Sequence, residues 1–146
     1  MTLIVDIKNR IKTLLDELVT AGTLGEVQMD DFKQGIFDRD YSAFPAAVLT
    51  TPSIQGNYFT NRQNARTHTF DIVILNKADN IESATQIETL IETILDKFDN
   101  DPTLNGKADA GSEPSSSSPE AVVSRTGTFI VFAISIKAKA IKDLTF

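Results

Sequence analysis

Between Arg66 and Leu75 the side chains alternate in character with a period of two. His68, Phe70, Ile72 and Ile74 fall on one face, and Thr67, Thr69, Asp71, Val73 and Leu75 on the other. That period is a strand's, and a strand with such a face needs a sheet and a cover for the sheet.

Two segments supply the cover. Leu3, Ile4, Ile7, Ile11, Leu14, Leu15 and Leu18 recur at helical spacing over about five turns, with Asp6, Lys8, Asn9, Arg10, Lys12, Asp16 and Glu17 opposite and Gly22 as a stop. A coiled-coil seam is the alternative, but the stripe is short for one. The second stripe is Ile81, Ala84, Ile87, Leu90, Ile91, Ile94, Leu95 and Phe98, ended before Pro102. Asp79 and Glu82 have the spacing of an N-terminal capping box.

Further strands are expected at Gly25–Phe32, with Val27 and Met29 on one face, and at Phe44–Thr50, where Pro45 belongs near the strand's start. Ala121–Arg125 is a short arm. Thr128–Ala140 is a long last strand carrying Ile130, Phe132, Ile134, Ile136, Ala138 and Ala140 on one face. Its other face is apolar at first and charged at its end, through Lys137 and Lys139. Lys33–Ser42 and Thr51–Asn64 read as loops. Gly106–Glu120 contains two prolines and the run Ser115–Ser118, and reads as a flexible excursion standing clear of the core. Phe70, Ile72, Leu90 and Ile134 are expected to be buried. The expectation is one α+β domain over residues 1–146, in the order α-β-β-β-α-β-β. It has a mostly antiparallel sheet of about four to five strands flanked by two main helices.

Composition narrows the chemistry. The 146 residues carry a formal net charge of −6, the reverse of the basic excess that phosphate binding favours, and contain no cysteine. No sequence-specific nucleic-acid partner is expected. No apolar run nears the ~18 residues of a membrane span, and the start lacks the basic region of a signal peptide. His68 is the sole histidine, and Asp71 lies on the opposite strand face. The acidic pairs Asp30-Asp31 and Asp38/Asp40 suit turns or a hard cation. Asp99-Asn100-Asp101 opens like a calcium loop, but Leu104 and Ala110 stand where that loop needs glycine and glutamate. No nucleophile elbow, P-loop or dinucleotide fingerprint is present. The reading is a non-enzyme with no catalytic residues, no metal and no cofactor.

The opening helix, the Phe44-Pro45-Ala46-Ala47-Val48 strand, the polar loop, the Thr69–Ile74 strand, the helix to Phe98 and the long final strand follow one another in an order. That order resembles the tail-terminator proteins of long-tailed bacteriophages and, more loosely, their tail-completion and neck proteins. The resemblance implies a structural virion protein at the neck end of the phage tail, assembled in the host cytoplasm. Members form a hexameric ring on the tail tube, end its growth and meet the head connector. The implied partners are copies of the chain itself, the tail tube protein and head-connector or neck proteins, with no membrane. The alternatives are a neck or head-closure protein, or a small ligand-binding or enzymatic module. Tyr58, Phe59, Arg62 and Arg66, in and beside the polar loop, are the candidate interface residues, because aromatics and arginine are enriched at interfaces.

Overall fold

The computed structural model describes residues 4–30, 36, 39–50, 52–58, 63–81, 84–106, 113–124 and 127–143. The fold is α+β. Helix α1 spans Ile4–Thr20 and α2 spans Ala84–Asp99; the strands are β1 (Glu26–Asp30), β2 (Ala46–Thr50), β3 (Ser53–Tyr58), β4 (Gln63–Lys77), β5 (Ser115–Ser116), β6 (Glu120–Ser124) and β7 (Gly127–Asp143).

Among the described residues the sheet has seven strands, more than the sequence suggests, in the order β1-β2-β4-β7-β5. Strand β3 pairs with β4 beyond β2, and β6 pairs with β7 beyond β5. All pairings are antiparallel except β1 with β2. Its centre is the long β4–β7 ladder, which runs from Gln63↔Asp143 to Lys77↔Phe129.

One face carries the main core. Phe70, Ile72 and Ile74 of β4 and Phe132, Ile134, Ile136 and Ala138 of β7 are buried there. Over them lie Ile7, Ile11, Leu14, Leu15 and Leu18 of α1, and Ile87, Ile94 and Phe98 of α2. The alternation and the helical stripes thus bury the faces expected of them. Of the four side chains expected to be buried, Leu90 alone is half-buried, at the margin of this cluster with Ile91 and Leu95, and Ala84 of the same stripe is exposed, because α2 turns Ile87 and Ile94 to the sheet instead.

Helix α1 stops where Gly22 takes φ +83°. The Gly22 N–H donates to Val19 O (3.0 Å) and the Thr23 N–H to Leu18 O (2.9 Å). These bonds satisfy carbonyls that the helix end would leave open, in the Schellman arrangement. Helix α2 begins later than its apolar stripe. Residues Ala78–Asn80 form a 3-10 turn directly after β4, so Asp79 is not the α2 cap; Glu82 lies outside the described residues. Past α2, Asp101 accepts from Arg10 Nε (2.8 Å) and from the Asn105 N–H (2.8 Å). The third residue of the calcium-like stretch is therefore a turn and helix-linking group. With Lys97–Glu17 (3.1 Å) it ties α1 to the α2 end, each partly exposed pair contributing at most about 1 kcal/mol.

The opposite face has a smaller cluster of Val48, Leu75, Phe129 and Val131, roofed by Ile36 from the β1–β2 connection. Phe44 stacks on Phe129 with centroids 5.8 Å apart, and Tyr41 meets Phe44 edge-on. Further along this face the sheet turns polar: Ser135 Oγ donates to Asp71 Oδ1 and Thr50 Oγ1 to Asp71 O, both at 2.8 Å.

Two segments read as irregular are strands. Most of the polar loop Thr51–Asn64 is β3 and the start of β4, which pair antiparallel; residues 59–62 lie outside the described residues. The serine run does not stand clear of the sheet: Ser115 and Ser116 pair with Ser135 and Ile134, and the Ser117 N–H donates to Ala133 O. Residues 107–112 of that stretch lie outside the described residues. Both segments lack a sequence signal because each borrows its ladder from a strong neighbour. Backbone hydrogen bonding needs no particular side chain.

Candidate interaction surfaces

Beyond the helix-covered core the sheet continues as a ribbon of β3, the first part of β4 and the last part of β7. Its rungs run from Ser53↔Thr69↔Lys137 to Tyr58↔Asn64↔Lys142. Burial fades outward along its helix-side face. Phe70, Ile136 and Ala138 are fully buried and His68 is 6% exposed, whereas Ile54 is 54% exposed and Arg66 is exposed.

Of the four candidate interface residues, Tyr58 ends β3 opposite Asn64, and Arg66 sits in β4 between Gly56 and Ala140. Phe59 and Arg62 lie outside the described residues. Tyr58 and Arg66 therefore belong to one ribbon, not to a loop.

His68 is the one buried side chain with a nitrogen lacking a partner among the described residues: Nδ1 has no hydrogen bond. Burial first, and the positive charge of Arg66 second, push its pKa below the ordinary 6.5. A lowered histidine pKa means that the unfolded chain binds the extra proton more readily than the folded one. Stability is then full above the ordinary value and falls as pH drops through it. Glu26 titrates in a separate window. The Gln28 amide (2.9 Å), opposed by burial and helped by Ser42, holds its carboxyl below 4.5. Melting of the wild type between about pH 8 and about pH 5.5 is expected to show a loss of stability that His68→Gln largely removes. Parallel losses in the two proteins would assign the effect elsewhere.

A second surface is an apolar groove of about 450 Å³ between the start of α2 and the β6–β7 pair. Ile81, Ile87 and Ile91 form one wall and Pro119, Ala121 and Ile130 the other, with exposed Glu88 and Glu120 alongside. It is invisible to the sequence because its walls come from segments far apart in the chain. Among the described residues, no three His, Cys, Asp or Glu side chains come together as metal ligands would.

These features define an α+β fold with an apolar groove among the described residues. Searches of the chain against protein-family models and against curated proteins find no match.

Proposed function

We propose that the protein is a structural component of a long-tailed phage particle that caps the tail tube as a ring. In that role it ends tube growth and presents the joint to the head connector. The observation that supports this reading most is the architecture. The helix–strand order that resembles tail terminators belongs to a folded sheet with two helices on one face. The same sheet runs past its core as a ribbon. A ring needs two complementary surfaces per subunit that close on rotation, and a ribbon projecting from a rigid core offers surface on both of its sides. The formal charge of −6 keeps free subunits apart, so the tube end would template assembly.

Tube polymerisation with and without the protein tests the reading. Saturating protein is expected to arrest growth and to be found at tube ends. Unregulated tube lengths, with the protein never at an end, would rule the terminator role out. Arg66→Glu reverses an exposed charge on the ribbon. It is expected to weaken capping while leaving the melting temperature within about 2 °C of wild type. The apolar groove favours a second reading, a module that binds an apolar ligand. Protein that leaves tube growth untouched yet is stabilised by an apolar ligand would support it.

A further inference from the structure

The groove beside α2 has an open mouth. Pro119, Glu120 and Ala121 on one wall and Ala84 and Glu88 on the other are exposed, while Ile87 between them is 4% exposed. Its apolar surface continues past the groove. Successive strand residues face opposite ways, and Val122 packs into the smaller cluster on the far side of the sheet. Ala121 and Val123 therefore share the groove's face, level with Ile130 and Thr128 of β7. Val123 is 81% exposed. The charges here have one sign. Glu88 and Glu120 are the charged residues of the lining, and neither has a cation as ion-pair partner among the described residues. Lys77, at the end of β4, reaches instead over the Phe44 ring in the opposite cluster.

We propose that the groove and the β6 strip receive a segment of a partner protein that carries a large apolar side chain with a lysine or arginine on either side of it. This goes beyond the capping reading and does not depend on it. The volume of about 450 Å³ and the isoleucine-rich lining suit a large apolar anchor, the kind of group that dominates binding energy when it fills a pocket. The two carboxylates stand on opposite walls without partners, so cations flanking the anchor meet one on each side, and complementary charge sets orientation and specificity. The strip selects a chain segment over a compact molecule. Val123 lies two residues beyond Ala121, roughly 6–7 Å further along the strand, so covering both takes an extended occupant. A second copy is opposed by the net charge of −6, which favours a basic partner over another acidic chain.

Isotope-labelled protein titrated with the capped peptide Lys-Leu-Phe-Leu-Lys, and with its counterpart Glu-Leu-Phe-Leu-Glu, tests the proposal by amide chemical shifts. The lysine peptide is expected to move Ile87, Glu88, Ile91, Ala121 and Val123. At low salt it should bind about tenfold more tightly than the glutamate peptide, the scale of two exposed ion pairs, and high salt should narrow the gap. Glu88→Lys/Glu120→Lys should reverse the preference without shifting the melting temperature, since both side chains are exposed. Ala121→Trp fills the groove from an exposed position and should abolish the shifts. Val123→Ser should weaken the lysine peptide; unchanged affinity would confine the occupant to the groove and overturn the extended segment. Equal binding of the two peptides, or no shifts at these residues with either, overturns the proposal. So does binding of octanol without binding of peptide, which would make the groove a small-molecule site. Concentration-dependent shifts of the same residues in the protein alone would assign the groove to a second copy and overturn it as well.

Discussion

Phe70→Ala is expected to lower the free energy of unfolding by about 3–5 kcal/mol, the range for a buried phenylalanine truncated in a packed core. Phe70 is fully buried at the point where β4 meets β7, opposite Ile136, in the cluster that both helices cover. Its loss removes the apolar contact and leaves a void. Collapse into that void is opposed because Ile72 and Ile134 stand on the same continuous ladder, whose hydrogen bonds hold the backbone in place. Against a typical stability of about 5–15 kcal/mol, the variant should be marginal at 37 °C. Leu90→Ala, at the half-buried edge of the cluster, should lose much less. Denaturant titration of both variants gives the comparison as a midpoint shift at constant slope. A loss below about 1 kcal/mol for Phe70→Ala would mean that this face is not the main core.

Gly25→Ala is expected to cost about 1–3 kcal/mol through overpacking, although it adds a single methyl group. A Cβ on Gly25 would stand 2.7 Å from Phe44 N and 2.8 Å from both the carbonyl carbon and Cβ of Ala43. Neither side has room to yield. The Gly25 N–H donates to Pro45 O at 2.8 Å, and the next rung, Glu26↔Ala46, opens the parallel β1–β2 ladder. On the other side Phe44 is held by Phe129 and Tyr41. The methyl must pry β1 from β2 or unseat Phe44. Amide exchange should therefore accelerate first in β1 and around residues 43–46, before the β4–β7 ladder responds. Unchanged stability in the alanine variant would show that this junction is looser than its contacts imply.

How much of the molecule was legible in advance follows from the range of the interactions involved. Side-chain periodicity is a local property, so Phe70, Ile72 and Ile74, the α1 stripe, and Phe132, Ile134 and Ile136 reach the face that their spacing assigns. Gly22 likewise ends α1 through bonds made within the last turn. Leu90 fails at the margin because the rotation of a helix on its sheet is set by all its contacts together, not by its own stripe. The candidate interface was half legible. Composition marks out Tyr58 and Arg66, but nothing in it says that they share a ribbon.

Strand pairing joins residues distant in the chain and works through backbone groups that every sequence shares. The sequence by itself determined the α+β class, the two helical covers and the faces of β4 and β7. Only the tertiary structure decided that β1 runs parallel to β2 and that polar SIQGNY and Ser115–Ser116 become strands. It alone decided that β7 outruns β5 and β6 among the described residues. The physical reason is that a strand's outer edge is defined by where its neighbours stop, and no local stretch of sequence encodes that.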